Sequence, residues 1–144
     1  TKGTIMFSSH VLEYRPLGKP LSKLRSGALI SSTAGSILAY GLRSAQGRGN
    51  TFVAPGTKVY EGQIIGQNAK GEDLEVNACK GKQLTNMRSK SSDGIIQLAP
   101  PIVLSLEQSI DFIESDELLE ITPQSLRLRK KLLTDVERRR DRRS

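Results

Sequence analysis

Up to Gly94, apolar residues occur in short runs broken by glycine, proline and small polar residues, a pattern that predicts strands. Gly3–His10 and Ala28–Ser32 are two such runs. Ser36–Leu42 resumes after a Thr33-Ala34-Gly35 turn, so 28–42 is expected to form a hairpin. Gln63–Gln67 and Ile95–Leu98 are expected as further short strands. Pro16–Arg25, with two prolines and three Lys/Arg, is expected as a linker or exposed loop.

The pattern changes past Pro100-Pro101. Ser105-Leu106-Glu107-Gln108 has the spacing of a capping box, and Leu106, Ile110 and Ile113 then share one face, predicting a helix over 105–116. Leu118–Thr122 and Leu126–Lys130 alternate around Pro123 and are expected as two strands, although Thr122-Pro123 could also open a helix. Thr134-Asp135-Val136-Glu137 is a second capping box, predicted to start a short basic helix that frays. All thirteen glycines fall at or before Gly94. Irregular turn spacing argues against βαβ units. The expected class is α+β, mainly β: an irregular closed or half-closed β-barrel-like body, one helix in the C-terminal half and a short terminal helix.

The chain has 144 residues, enough for one domain, or one domain and a fragment, with an ordinary apolar core. No stretch approaches the ~18 uncharged apolar residues of a membrane span. With Thr1-Lys2-Gly3 at the start, no signal peptide and no initiator Met, an intracellular piece of a longer protein is expected.

Net charge is +7, unevenly distributed. Residues 107–120 carry six acids and no base, whereas 127–144 carry nine bases against Asp135, Glu137 and Asp141. These blocks cancel, leaving the excess in residues 1–106. A basic body plus a basic tail favours a polyanionic partner over a merely solvated tail. The six aromatics form no stacking platform of the RNA-recognition-motif kind, so nucleic-acid contacts should be mainly to phosphate and shape.

Catalytic constellations are not found. His10 is the one histidine, read as structural, and Cys79 has no histidine placed to form a dyad. Gly-Lys at 18–19 and 81–82 is followed by Pro20 and Gln83, so neither is a P-loop, and Gly47-Arg48-Gly49-Asn50 lacks the dinucleotide fingerprint. Pro55–Gly62 faintly resembles a lipoyl hairpin, but Lys58 does not sit at a symmetrical tip. No catalytic residue, metal site or cofactor is assigned, and this chain is expected not to be an enzyme by itself.

Asn77–Gly94 differs in kind: Lys80, Lys82, Arg88 and Lys90 are interleaved with small polar residues, and no acid precedes Asp93. Long loops without periodicity inside compact domains are usually functional or disordered. Lysines deliver point charges to phosphate, Arg88 can bind it bidentately, and Gln83 and Asn86 offer groups for sugars or base edges. The same composition also suits a solvated surface loop.

The string Lys80-Gly81-Lys82-Gln83-Leu84-Thr85-Asn86-Met87-Arg88 resembles the C-terminal domain of the TypA/BipA translational GTPases. So do Pro55–Gly66, Ser105–Gln108, Asp116–Leu118 and Ile121–Lys130, so that the likeness covers nearly the whole chain in order. The resemblance implies that about 1–14 is the last strand of a domain shared with elongation factor G, and that 15–144 is the family's own C-terminal domain. It implies ribosome binding in the elongation-factor site, with loop 80–93 approaching the acceptor end of the A-site tRNA. The implied contacts are Lys80, Lys82, Gln83, Asn86, Arg88, Ser89 and Lys90 in the loop. Arg43, Arg48, Arg127, Arg129, Lys130 and Lys131 are candidate rRNA contacts. GTP and Mg2+ would belong to an N-terminal domain outside this chain. The family is associated with large-subunit assembly and stress or cold adaptation. A bacterial cytoplasm, with a plastid as alternative, no membrane and a monomer are expected. One departure is Gln46-Gly47-Arg48-Gly49, where relatives often carry an acid after the glutamine. The competing function is a protein-interaction or interdomain-docking module acting through the acidic helix 105–117.

Overall fold

A computed structural model describes residues 6–16, 25–81 and 96–143. Its centre is strand β1, Ala28–Ser31, every residue of which is buried. Three more strands follow along the chain, β2 (Gly35–Ser36), β3 (Gly49–Thr51) and β4 (Lys58–Val59). Strand β5 (Gln63–Asn68) runs antiparallel to β1, and β6 (Leu74–Val76) runs parallel to it on the other side. A C-terminal hairpin of β7 (Glu117–Ile121) and β8 (Leu126–Lys130) joins through β8 to the far edge of β5, where β3 also pairs. The order is β6-β1-β5-β8-β7, with β2 and β4 forming a separate ribbon.

Alternation along β1 divides the core in two. Leu29 points to one face, packing with Ile37, Leu42, Val59, Ile65 and Ala78. Ala28 and Ile30 point to the other, with Ile64 and Leu128, against which Phe52, Phe112, Ile113 and Leu119 pack. Helix α1 (Ala39–Gln46) supplies Leu42 to the first face, and α2 (Leu106–Phe112) supplies Phe112 to the second. A sheet covered on both faces reads in sequence as an unbroken apolar run, which is what Ala28-Leu29-Ile30 is. The fold is α+β and mainly β, as expected, but the described strands make an open sheet rather than a barrel.

The hairpin expected over 28–42 does not form. β2 pairs with β4, and residues 39–46 are helical. Gly41 and the short apolar run Ile37–Tyr40 after a turn disguise a helix whose buried face is Gly41, Leu42 and Ala45. Residues 6–10 and 96–98 carry no strand, and the remainder of those two expected strands, like most of the expected linker, lies outside the described residues.

The C-terminal half follows the expectations closely. Ser105 caps α2 by accepting from the Gln108 amide, and the Gln108 side chain returns to the Ser105 amide. The helix ends at Phe112, short of the expected 116, because Ile113 turns extended and the acids beyond it go to internal partners. Thr122 and Ser125 close the β7–β8 turn through reciprocal bonds. Helix α3 (Asp135–Asp141) has the predicted Thr134–Glu137 capping box. It is anchored as well as capped. Arg138 is buried, donates to the Leu132 and Leu133 carbonyls and pairs with Glu75 of β6 at 2.6 Å.

Candidate nucleic-acid interface

The basic segment enters and leaves through stems that both rest on α1. On the outgoing side, Leu38 donates its amide to the Ala78 carbonyl at 3.0 Å. Gly41 lies so close to Ala78 that a Cβ there would overlap its backbone, and Ala78 itself is a core residue. On the returning side, the Gln46 side chain acts as a strand edge: Nε2 donates to the Ala99 carbonyl at 2.8 Å, and Oε1 accepts from the Ala99 amide at 3.0 Å. Thr51 accepts a further bond from Gln46 Nε2. One short helix therefore sets the base of the segment from both sides.

Of the expected loop contacts, Lys80 is described and exposed on the outgoing stem. Lys82, Gln83, Asn86, Arg88, Ser89 and Lys90 lie outside the described residues. Arg43 and Arg48, within and just after α1, are exposed, as are Arg127 and Lys131. Arg129 is half-buried and approaches Glu120 at 2.7 Å, an ion contact without hydrogen-bond alignment. Lys130 does not belong with them. Its ammonium is buried between Asp73, Asp116 and Glu117 at 2.5, 2.8 and 2.9 Å. Burial opposes its charge, but these carboxylates outweigh burial and raise its pKa.

The charge map is sharper than net charge suggests. From Ser26 to Tyr60 no residue is acidic, and a further acid-free stretch, Val76–Ser92, contains the bases of the basic segment. These stretches carry Arg43, Arg48, Lys58 and Lys80, none of which has an ion-pair partner among the described residues. Such a face attracts polyanions. The signal was present in the sequence as a gap in the positions of Asp and Glu.

Among the acids of 107–120, Glu114, Asp116, Glu117 and Glu120 pair with cations of the fold, although only Glu117 is buried. Arg25 pairs with Glu114 and Glu117 at 2.9 and 2.6 Å, donates to the Phe112 carbonyl and stacks on the Phe112 ring. Asp116 and Glu117 hold Lys130, while Glu120 accepts from the Tyr60 hydroxyl at 2.7 Å. Burial and the Glu120 carboxylate both raise the pKa of that hydroxyl. Among the described residues no cluster of His, Cys, Asp and Glu could hold a metal ion, and no helix is long and apolar enough to cross a membrane.

Together these features define an α+β module with unpaired cations in acid-free stretches beside the basic segment and an acidic stretch whose Glu114, Asp116, Glu117 and Glu120 pair with cations of the fold. Residues 26–135 match the TypA/BipA C-terminal domain family, and the chain belongs to that family. It is 45% identical over 141 residues to the large ribosomal subunit assembly factor BipA of Haemophilus influenzae, covering 97% of this chain and 23% of that protein. The protein of the same name from Salmonella typhimurium is 46% identical over 143 residues, 97% of this chain and 23% of the relative. That from Synechocystis is 43% identical over 130 residues, 90% of this chain and 22% of the relative. The chain thus spans about a quarter of the length of the relatives it matches.

Proposed function

We propose that this chain is the RNA-contacting module of a ribosome-associated translational GTPase. The basic segment 80–93 reaches ribosomal RNA and the acceptor end of an A-site tRNA, and Arg43, Arg48 and the exposed cations of the basic tail add contacts to phosphate. The observation that carries this reading is the segregation of charge: Arg43 and Lys80, exposed beside the root of the segment, have no ion-pair partner among the described residues, while Glu114, Asp116, Glu117 and Glu120 are paired with Arg25, Lys130 and Arg129. Relatives named as large-subunit assembly factors support the ribosome as partner.

GTP chemistry belongs elsewhere in the parent protein. On this reading the chain itself supplies charge and shape. Residues 1–14 would add a strand to a neighbouring domain of the parent protein; the 84–96% exposure of Met6, Phe7, Leu12 and Tyr14 supports a cover from outside the chain.

The test uses the full-length parent protein and purified ribosomes. Replacing Lys80, Lys82, Arg88 and Lys90 with Ala should weaken binding and make the salt dependence of log K shallower by roughly three units if all four meet phosphates. An unchanged slope removes the segment from the interface. Crosslinking from position 88 should label the acceptor end of A-site tRNA, and adducts confined to protein would exclude that contact.

A further inference from the structure

We infer that Tyr40, framed by Leu38, Arg43 and Lys80, is a stacking site for an unpaired nucleotide of RNA, which rests on the RNA-binding reading above. Tyr40 stands in the first turn of α1 with 42% of its surface exposed, and Leu38 beside it is 45% exposed. Its hydroxyl has no hydrogen-bond partner among the described residues, so the oxygen is not engaged there, and part of the ring is open to solvent.

The surroundings distinguish this ring from an ordinary surface tyrosine. The close packing of Gly41 on Ala78 holds the helix against the outgoing stem, and a Cβ on Gly81 would lie 3.6 Å from the Leu38 side chain. Tyr40 is therefore held beside the point where Lys80 emerges. Arg43 lies one helical turn further on, exposed like Tyr40, whereas Gly41, Leu42 and Ala45 face inward. A partly exposed ring with Arg43 one helical turn along and Lys80 on the neighbouring stem, in stretches of sequence without carboxylates, matches a nucleotide: the base stacks on the ring while its two phosphates meet the cations. A neutral apolar protein ligand would use the apolar pair but leave Arg43 and Lys80 uncompensated. Stacking tolerates any base and needs it unpaired, so the ligand is single-stranded RNA rather than duplex.

The chain should quench the fluorescence of a single-stranded RNA heptamer bearing one 2-aminopurine. Tyr40→Phe should keep the quench. Tyr40→Leu should abolish it and weaken binding roughly ten- to hundred-fold, with the salt slope unchanged. Lys80→Ala should do the converse, lowering the slope by about 0.7 while the quench persists at saturation. If Lys80→Ala lowers the slope but Tyr40→Leu alters neither quench nor affinity, the stacking site is wrong and the RNA reading stands. If the wild-type chain shows no salt-dependent binding, and the full-length parent with Lys80→Ala binds ribosomes as wild type does, both fail.

Discussion

The ammonium of Lys130 lies 2.9 Å from a carboxylate oxygen of Glu117, and both side chains are withdrawn from solvent, at 2% and 0% exposure. The pair joins β8 to β7 across their register, and Glu117 extends it to Arg25 while Asp73 extends it to the turn before β6. Four separate segments of chain thus meet at one charge cluster.

Removing Lys130 leaves Asp73, Asp116 and Glu117 together, with Arg25, on Glu117, as the cation that remains among these partners. Lys130→Met should destabilise the chain by about 3–5 kcal/mol, and Glu117→Gln by less, because Lys130 keeps Asp73 and Asp116 and Arg25 keeps Glu114. Lys131→Met, next door on the surface, should stay within about 0.5 kcal/mol. Urea unfolding followed by circular dichroism measures all three. Equal midpoints for Lys130→Met and Lys131→Met would show the cluster to be neutral.

Stability should fall in acid partly through Asp73. Burial disfavours its charge, but the Ala28 amide at 2.7 Å and the Lys130 ammonium outweigh burial and lower its pKa. A carboxyl depressed on folding stabilises the native state above its unfolded pKa, near 4, and that contribution is lost as pH falls through the folded value. Asp73→Asn should be less stable at pH 7, and its urea midpoint should converge on wild type below about pH 4. A constant gap between the two curves would refute the linkage.

Gln46 replaces a missing strand partner for Ala99, so its loss should be local. Gln46→Ala should cost roughly 1–2 kcal/mol and accelerate hydrogen exchange at the Ala99 amide, with the amides of β1 little changed. Exchange at Ala99 as slow as in wild type would mean that the stem is held by something else.

Gly56 and Gly62 share a left-handed backbone, φ +83° and +84°, but not surroundings. Nothing lies within 4 Å of a Cβ at 56, whereas at 62 it would stand 2.6 Å from the Leu133 carbonyl oxygen. Gly56→Ala should therefore cost only the conformational penalty, about 1 kcal/mol, and Gly62→Ala at least twice that. Thermal unfolding of the two variants checks the order, and equal losses would rule out the contact.

The elements legible in advance are those specified by neighbours in sequence. Both capping boxes, at Ser105 and Thr134, were read correctly because the cap and its partner are three residues apart. The β7–β8 hairpin was legible from its alternation, and β5 from its apolar run. Helix α1 was not, because Gly41 weakens its local propensity and the advantage of glycine there is the approach to Ala78, thirty-seven positions away. Lys130 looked like part of a basic tail for the same reason: nothing nearby in sequence announces Asp73.

By itself the sequence determined the mainly β class, the family, the caps and the gap in acids, since each depends on residue type and short spacing. Only the tertiary structure decided which charges are free. An ion pair such as Lys130–Asp73 forms when a sheet brings distant segments within a few ångströms, and the separation of used from unused cations exists only once the chain has closed around them.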